Sequence, residues 1–441
     1  MKKLLLIFVS LVAFCSCENE EFDFAAPVDV QSEVAVDSFY VSFDEALAQA
    51  EKALAGTTTT RASVVKRKVA NHHEFVASRS TRATGDDVEV RFHVINFEDN
   101  EGFALVSADS RTTPVYAYSE TGNLDIEDAT ENTGFGDFMD AATEYYIAET
   151  EWTGPNDQLL PINPTTPIIP IPMDSIVQLP IEILDGEVYH VKTEVRNESN
   201  PNGILINAEW AIKWPYNYYC GSSNNKSPYW GERNSAGCGP VAAAQIMSYY
   251  RYPLSYGDYV FNWDKILSSV RYNDNYPSIS EGALATAYFI HKVGVAANAV
   301  YEHDAYVTND DMSQLFEKMG YDFNGHIPYS SYEMRTSLNN SCPVLVSGLK
   351  SNSSDGHIWV IDAYNRQLEV KTYYYQEQPH DVYRVISQVL NMYTHCNWGY
   401  GYDKNSYSCW CLNVYSSPYG AFSRDIRMIY NIKPKQQFPN I

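Results

Sequence analysis

Residues 1–16, MKKLLLIFVSLVAFCS, place a Lys2-Lys3 head before an apolar run of about a dozen positions, the pattern of a secretory signal. The rhythm then turns helical. Over residues 42–55 apolar side chains recur at Phe43, Leu47 and Ala50 to Leu54, and Ser42 stands three residues before Glu45 as in a capping box. GTTTTRA breaks that pattern. Val88, Val90, Phe92 and Val94 alternate with Glu89, Arg91 and His93, which predicts a strand over Val88–Phe97. Asp99-Asn100-Glu101-Gly102 turns the chain into a second strand, Phe103–Ser107; Pro114–Ser119 reads as a third and Phe135–Thr150 as a second helix. These elements make a small α+β unit ending near residue 150. Residues 153–180 hold seven prolines, too many for a packed element, so they read as a semi-rigid arm. NESNPNG follows as an exposed polar tip between about 195 and 206, of the kind that proteases nick. From Ile204 onward the sequence is aromatic and densely patterned.

Charge and aromatic content divide the chain at the same place. Of 441 residues, the first 200 carry 13 basic and 35 acidic side chains, and the remainder carry 18 and 20. After residue 200 lie 29 of the 35 Tyr and 7 of the 8 Trp. Two regions so unlike each other suggest separate tasks, and an acidic chain without a basic stripe argues against a nucleic-acid partner. No later segment reaches the ~18 consecutive apolar residues of a membrane span. Ser16-Cys17 at the end of the apolar run resembles a bacterial lipobox, which would make Cys17 the lipidated N-terminus. Glu18-Asn19-Glu20-Glu21 resembles the acidic tag of surface-exposed Bacteroidetes lipoproteins. The expected location is therefore export to an outer membrane or cell surface through acyl chains on Cys17.

Six of the eight cysteines lie beyond the signal and lipobox, at 220, 238, 342, 396, 409 and 411. If one of them is a reactive thiol, the other five cannot all pair, so this is not a disulfide scaffold. His395, Cys396, Cys409 and Cys411 invite a zinc reading, but C-x-C lacks the usual structural spacing, and neither metal nor cofactor is expected. Cys238 stands out. Pro240 suits a first helical turn, Ala242–Tyr250 propagates a helix, and Pro253 stops it. The thiol then sits at a helix N-terminus, where free N–H groups and the dipole favour a thiolate. A nucleophilic cysteine also needs a base and a group to orient that base. His357, between the polar stretch Ser351–Gly356 and the apolar strand Ile358–Ile361, has the best setting for the base, with His395 as its rival. Asn397 and Trp398 read as an imidazole-orienting amide and a shielding indole. Gln245, two turns after Cys238 on the same face, reads as a packing or network residue.

Together these segments resemble the streptopain-like cysteine peptidases. Gly237-Cys238 with the following Ala-Gln-Ile-Met-x-Tyr-x-x-Tyr-Pro resembles the family's nucleophile helix, and Phe261-Asn-Trp-Asp its Tyr/Phe-Asn-Trp-Asp element. Pro343-Val and Gly356-His357-x-x-Val-Ile-Asp362 resemble the base strand, and His395-Cys-Asn397-Trp398-Gly399 the His-x-Asn-Trp-Gly segment. Val41–Ala46 and Gly102–Asp109 resemble the family's propeptide, which continues to Gly122. The resemblance implies an α+β, papain-like fold: a helical half against a twisted antiparallel sheet, preceded by an inhibitory propeptide. The expected organisation is 1–16 signal, 17–150 lipid-anchored N-terminus and propeptide, 151–203 linker and activation region, and 204–441 catalytic unit. Two departures stand out. Ile212 occupies the position where the family carries an oxyanion-holding Gln, and the usual Asn-Trp-Gly-Trp-Gly-Gly becomes Asn397-Trp398-Gly399-Tyr400-Gly401-Tyr402.

The expected activity is hydrolysis of protein or peptide substrates by an endopeptidase made as a zymogen. Cys238 would be nucleophile, His357 general acid/base, Asn397 its orienting group and Trp398 its cover, with the propeptide as intramolecular inhibitor. Two alternatives compete: a surface binding or adhesion protein on a scaffold impaired by Ile212, and an amidase or transglutaminase using the same dyad.

Overall fold

The computed structural model describes residues 39–56, 67–80, 87–127, 133–151, 188–224, 230–271, 276–301, 307–349, 356–375, 382–401, 408–416 and 425–435. The signal at 1–16, Cys17, the acidic tag at 18–21, the proline-rich arm at 153–180, most of the polar stretch before His357 and Tyr402 lie outside these residues.

The N-terminal elements form where the sequence places them. Helix α1 (Phe43–Gly56) follows Ser42, whose backbone N–H donates to Glu45 Oε2 at 2.9 Å while its Oγ receives the Glu45 N–H at 3.5 Å. Its buried stripe is Ala46, Ala50 and Leu54. Strand β1 (Val69–Ser80) has no counterpart in the sequence reading, because the His72-His73 pair and its neighbours give no clean alternation; it pairs along its length with β2 (Asp87–Phe97). β3 (Phe103–Ser107), β4 (Val115–Ser119) and helix α2 (Thr133–Glu151) follow.

This unit does not stand alone. β4 pairs with β12 (Cys409–Leu412) through Tyr118 opposite Trp410 and Ala117 opposite Cys411. Among the described residues eleven strands thus form one sheet, in the order β1, β2, β3, β4, β12, β11 (Val382–Asn397), β10 (Gly356–Tyr375), β9 (Val344–Leu349), β13 (Arg427–Pro434) and β8 (Tyr321–Pro328), with β5 (Val188–Ser199) added to β10. Pairing β4 to β12 removes an exposed edge from each partner. Tyr118 stacks on Trp410 and accepts a hydrogen bond from Asn365 Nδ2 at 2.8 Å; Tyr393 Oη donates to the Val115 carbonyl at 2.8 Å.

Strand β5 (Val188–Ser199) corrects the reading of residues 195–206 as one exposed tip. It runs antiparallel to β10 from Val188 opposite Tyr375 to Ser199 opposite Asn365, and Arg366 hydrogen-bonds Glu198 from Nε at 2.9 Å. Beyond it Leu205 and Ile206 are buried, their N–H groups held by the carbonyl (3.3 Å) and Oδ2 (3.0 Å) of Asp362. The side chains of Val195–Ser199 stay exposed on the paired strand, and Pro201–Ile204 form an exposed turn between these two anchors.

The helical half comprises α3 (Cys238–Tyr250), α4 (Trp263–Leu267), α5 (Glu281–Ala296), α6 (Asn309–Lys318) and α7 (Ser331–Asn339), with the short β6–β7 hairpin (Ser255–Tyr256, Tyr259–Val260) after α3. The strands beside it are β8 (Tyr321–Pro328), β9 (Val344–Leu349), the long hairpin β10 (Gly356–Tyr375) and β11 (Val382–Asn397), and β13 (Arg427–Pro434). Helices laid against an antiparallel sheet are the α+β class expected. The Phe261-Asn-Trp-Asp element joins α3 to α4: Asn262 Oδ1 caps α4 by accepting the Lys265 N–H at 3.0 Å, and Trp263 Nε1 donates to the Pro253 carbonyl at 3.0 Å.

Candidate active site

Cys238 begins α3, and Gly237 before it has φ 86°, a conformation that favours glycine. Of the six cysteines in the described residues, Cys238 alone is partly exposed; the other five are buried. Burial pushes the Cys220 thiol up to about 12 and raises Cys342 and Cys411 as well, which keeps those thiols protonated. One partly exposed thiol at a helix start, among five buried ones, singles out one candidate nucleophile.

His357 stands at the start of β10, and the helix start packs against the next residue of that strand, Ile358. A Cβ on Gly239 would lie 3.2 Å from Ile358 Cδ1 and 2.4 Å from Val307 Cγ2, so glycine lets the residue after Cys238 settle against the residue after His357. The imidazole is buried, and its Nε2 lies 2.9 Å from the carbonyl oxygen of Trp398. A carbonyl only accepts, so Nε2 carries the hydrogen and the neutral ring keeps its lone pair on Nδ1. The ring lies nearly parallel to Tyr400 (5.4 Å between centroids, 7°) and to Trp359 (6.2 Å, 10°).

The segment after β11 supplies the remaining residues. Trp398 is fully buried, 6.5 Å from the His357 ring centre and 5.2 Å from that of Trp359. Asn397 is brought into the same segment but not onto the imidazole: its Nδ2 donates to the Ala208 carbonyl at 2.9 Å and its Oδ1 receives the Gly399 N–H at 3.3 Å. His395 is placed elsewhere. Its Nδ1 lies 2.6 Å from Asp362 Oδ1, and both side chains are buried. Burial alone would lower its pKa; the Asp362 charge and hydrogen bond more than offset this, so His395 is held above its ordinary value.

Ile212 bridges the two halves of the site through its backbone. Its N–H donates to the Gly399 carbonyl at 3.1 Å, and its carbonyl accepts from Ala236 N–H at 2.8 Å. The segment bearing the oxyanion position is thus in register beside both Cys238 and the Trp398 segment, with an apolar side chain where an amide is expected. Gln245 serves this segment, since its Oε1 accepts the Trp210 N–H at 3.0 Å from the buried face of α3.

The start of α2 covers the imidazole. A Cβ on Gly134 would lie 2.5 Å from His357 Cδ2, 2.7 Å from its Nε2 and 2.8 Å from Trp398 Cε3. Only a residue without a side chain brings backbone so close to the ring. The Gly134 N–H reaches Tyr400 Oη at 3.4 Å, and Phe135 meets Trp398 edge-on. Sequence reasoning missed Gly134, whose one local signal is its place in a run of small residues, and found Tyr400 only as a departure from the family pattern.

A family model for the Spi protease inhibitor matches residues 37–146, and one for the Peptidase C10 family matches residues 210–408. No curated protein matches the chain. Among solved structures, a prointerpain A fragment from Prevotella intermedia is 15% identical, with 82% of this chain and all of that chain covered, at a TM-score of 0.46. Active interpain A from the same organism is 16% identical, with 52% of this chain and 94% of that chain covered, at a TM-score of 0.34. The chain thus carries an inhibitor-type domain ahead of a region, residues 210–408, that belongs to the Peptidase C10 family, the streptopain-like cysteine peptidases.

Proposed function

We propose that this cysteine peptidase is exported as a zymogen and cleaves internal peptide bonds through Cys238 and His357. Two observations carry the reading: a partly exposed thiol at a helix start, and a buried imidazole whose Nε2 is hydrogen-bonded to a carbonyl. That bond leaves Nδ1 as the base. His357 takes the thiol proton, the thiolate attacks the scissile carbonyl, and the Cys238 backbone N–H receives part of the oxyanion charge. The imidazolium then protonates the leaving amine, and water, deprotonated by His357, releases the acyl group from sulfur. In the zymogen α2 occupies the approach to the ring. Its removal frees the Trp398–Tyr400 segment to bring the Asn397 amide to the imidazole. Cys17 carries the lipid that holds the precursor on a membrane, and the maturation cut falls within Pro201–Ile204.

Labelling of the processed protein by an epoxysuccinyl thiol inhibitor, with the modified peptide and the new N-terminus sequenced, tests this. Attachment at Cys238 and an N-terminus in that turn are expected; an unlabelled, inhibitor-free domain would sink the reading.

Ile212 favours a second reading, a binding protein on an impaired scaffold. Loss of one oxyanion donor typically costs ~10²–10³ in turnover. Ile212→Gln should therefore raise kcat by up to that factor in an impaired enzyme. An unchanged kcat in a chain that cleaves well would mean another group already fills the role.

A further inference from the structure

Three cysteines that the proposed chemistry leaves unused meet on one face of the sheet. Cys396 of β11 stands directly opposite Cys409 of β12, and Cys411 lies two residues further along β12, on the same face. The Cys409 and Cys411 sulfurs are 3.4 Å apart, and burial beside Cys396 and Cys409 pushes the Cys411 thiol up. Cys396 further touches Thr394, at 3.6 Å from Oγ1 and 3.8 Å from its carbonyl oxygen. All three thiols are buried. The neighbouring His395 projects to the opposite face and is committed to Asp362, so no imidazole joins the cluster.

We propose that Cys396 and Cys409 form a disulfide, with Cys411 left as a buried free thiol beside it. Directly opposed antiparallel residues have Cα atoms ~4.5–5.5 Å apart, inside the ~4.4–6.8 Å range that a disulfide spans. Cys409 and Cys411, neighbours on one face of one strand, are ~6.8 Å apart, at the limit of that range. The oxidant is a low-molecular-weight or enzyme-bound disulfide. One cysteine thiolate attacks a reagent sulfur, the reagent S–S bond breaks, and a mixed disulfide forms with release of one reagent thiol. The second cysteine, as thiolate, displaces the other reagent thiol and closes the protein S–S bond. Two protein thiols are oxidised, one reagent disulfide is reduced to two thiols, and the protein loses two hydrogens. Burial keeps Cys411 protonated in the folded sheet, so once β12 has docked it does not attack the bond beside it.

The bond would tie β11, which leads directly into Asn397 and Trp398, to the strand that receives β4 of the inhibitor domain. It does not depend on the roles given to Cys238 and His357. The test uses the full chain as Cys238→Ala, folded with oxidised and reduced glutathione, then denatured, alkylated and peptide-mapped. The expected result is a mass lower by two hydrogens, a cross-linked pair of peptides containing Cys396 and Cys409, and an alkylated Cys411. Cys411→Ser should retain the same cross-link. Three alkylated thiols after oxidative folding would overturn the proposal. So would a bridge from Cys411 to either neighbour, or from Cys396 or Cys409 to Cys220 or Cys342.

Discussion

Two buried histidines on adjacent strands do different work, and their partners explain why. His395 on β11 meets the Asp362 carboxylate at 2.6 Å, inside the sheet. His357 at the start of β10 meets a backbone carbonyl through Nε2 and packs among aromatic rings, beneath the first turn of α2. A carboxylate partner in a buried site holds a proton on the ring and makes a structural ion pair. A carbonyl partner fixes the tautomer without adding a formal charge, which leaves the other nitrogen able to take and return a proton. Asp362 also accepts the Leu205 and Ile206 N–H groups, so the His395 region anchors the chain that runs on through Trp210 and Ile212 to the site. One histidine anchors the segment that leads to the site; the other is the proposed base.

Substitution of each histidine in turn is the strongest way to break this contrast. Cys238→Ala and His357→Ala should each lower turnover by about four to six orders of magnitude while leaving the thermal midpoint close to wild type. His395→Ala should do the reverse. It leaves Asp362 buried without its cation, a change that typically costs ~3–5 kcal/mol, yet the folded fraction should still cleave peptides. Urea unfolding together with kcat on active-site-titrated protein separates the two outcomes. Activity lost with His395 and retained without His357 would mean that the roles are exchanged.

Gly134→Val sharpens the comparison from the inhibitor side, because α2 touches only one of the two histidines. A valine side chain would press on His357 and Trp398, and overpacking of this kind costs ~1–3 kcal/mol, roughly five- to 150-fold in the hold of α2 on the site. The intact precursor should activate faster by about that factor, with the pH dependence of its unfolding unchanged. An activation rate equal to wild type would show that α2 does not gate the ring.

Local signals made much of this visible in the sequence, and distant pairing hid the rest. Ser42 and Glu45 mark α1, alternation marks β2, and Pro240 with Pro253 frames α3, because each signal lies within the element that it specifies. Cys238 is readable for the same reason. β5 is not, since Glu198 finds its partner Arg366 168 residues away and its own residues alternate only weakly. His357 and His395 have similar local settings, and the choice between them rests on Asp362 and the Trp398 carbonyl, which only the folded sheet brings into place. The contact of Gly134 with the imidazole likewise exists only once α2 has docked.

The smallest expected effect is the pH dependence of the His395 pair, and its sign can be worked out. The folded-state pKa of His395 is raised above the unfolded value of ~6.5, so the folded protein binds this proton more tightly than the unfolded chain does. Below about pH 6.5 both states are protonated, and the pair's contribution to stability is fully present. As pH rises through the folded pKa the ring becomes neutral beside a buried carboxylate, and that contribution is lost. His395→Gln keeps a hydrogen-bond donor for Asp362 but has no proton to lose in this range. In a Cys238→Ala background, which prevents self-digestion, other titrating groups should largely cancel between the two proteins. The wild-type Tm should therefore exceed that of His395→Gln most at the acid end of the window, and the gap should narrow as pH rises. A gap that widened instead would mean that His395 is held neutral in the fold. The ion pair would then be absent, and the base would again have two candidates.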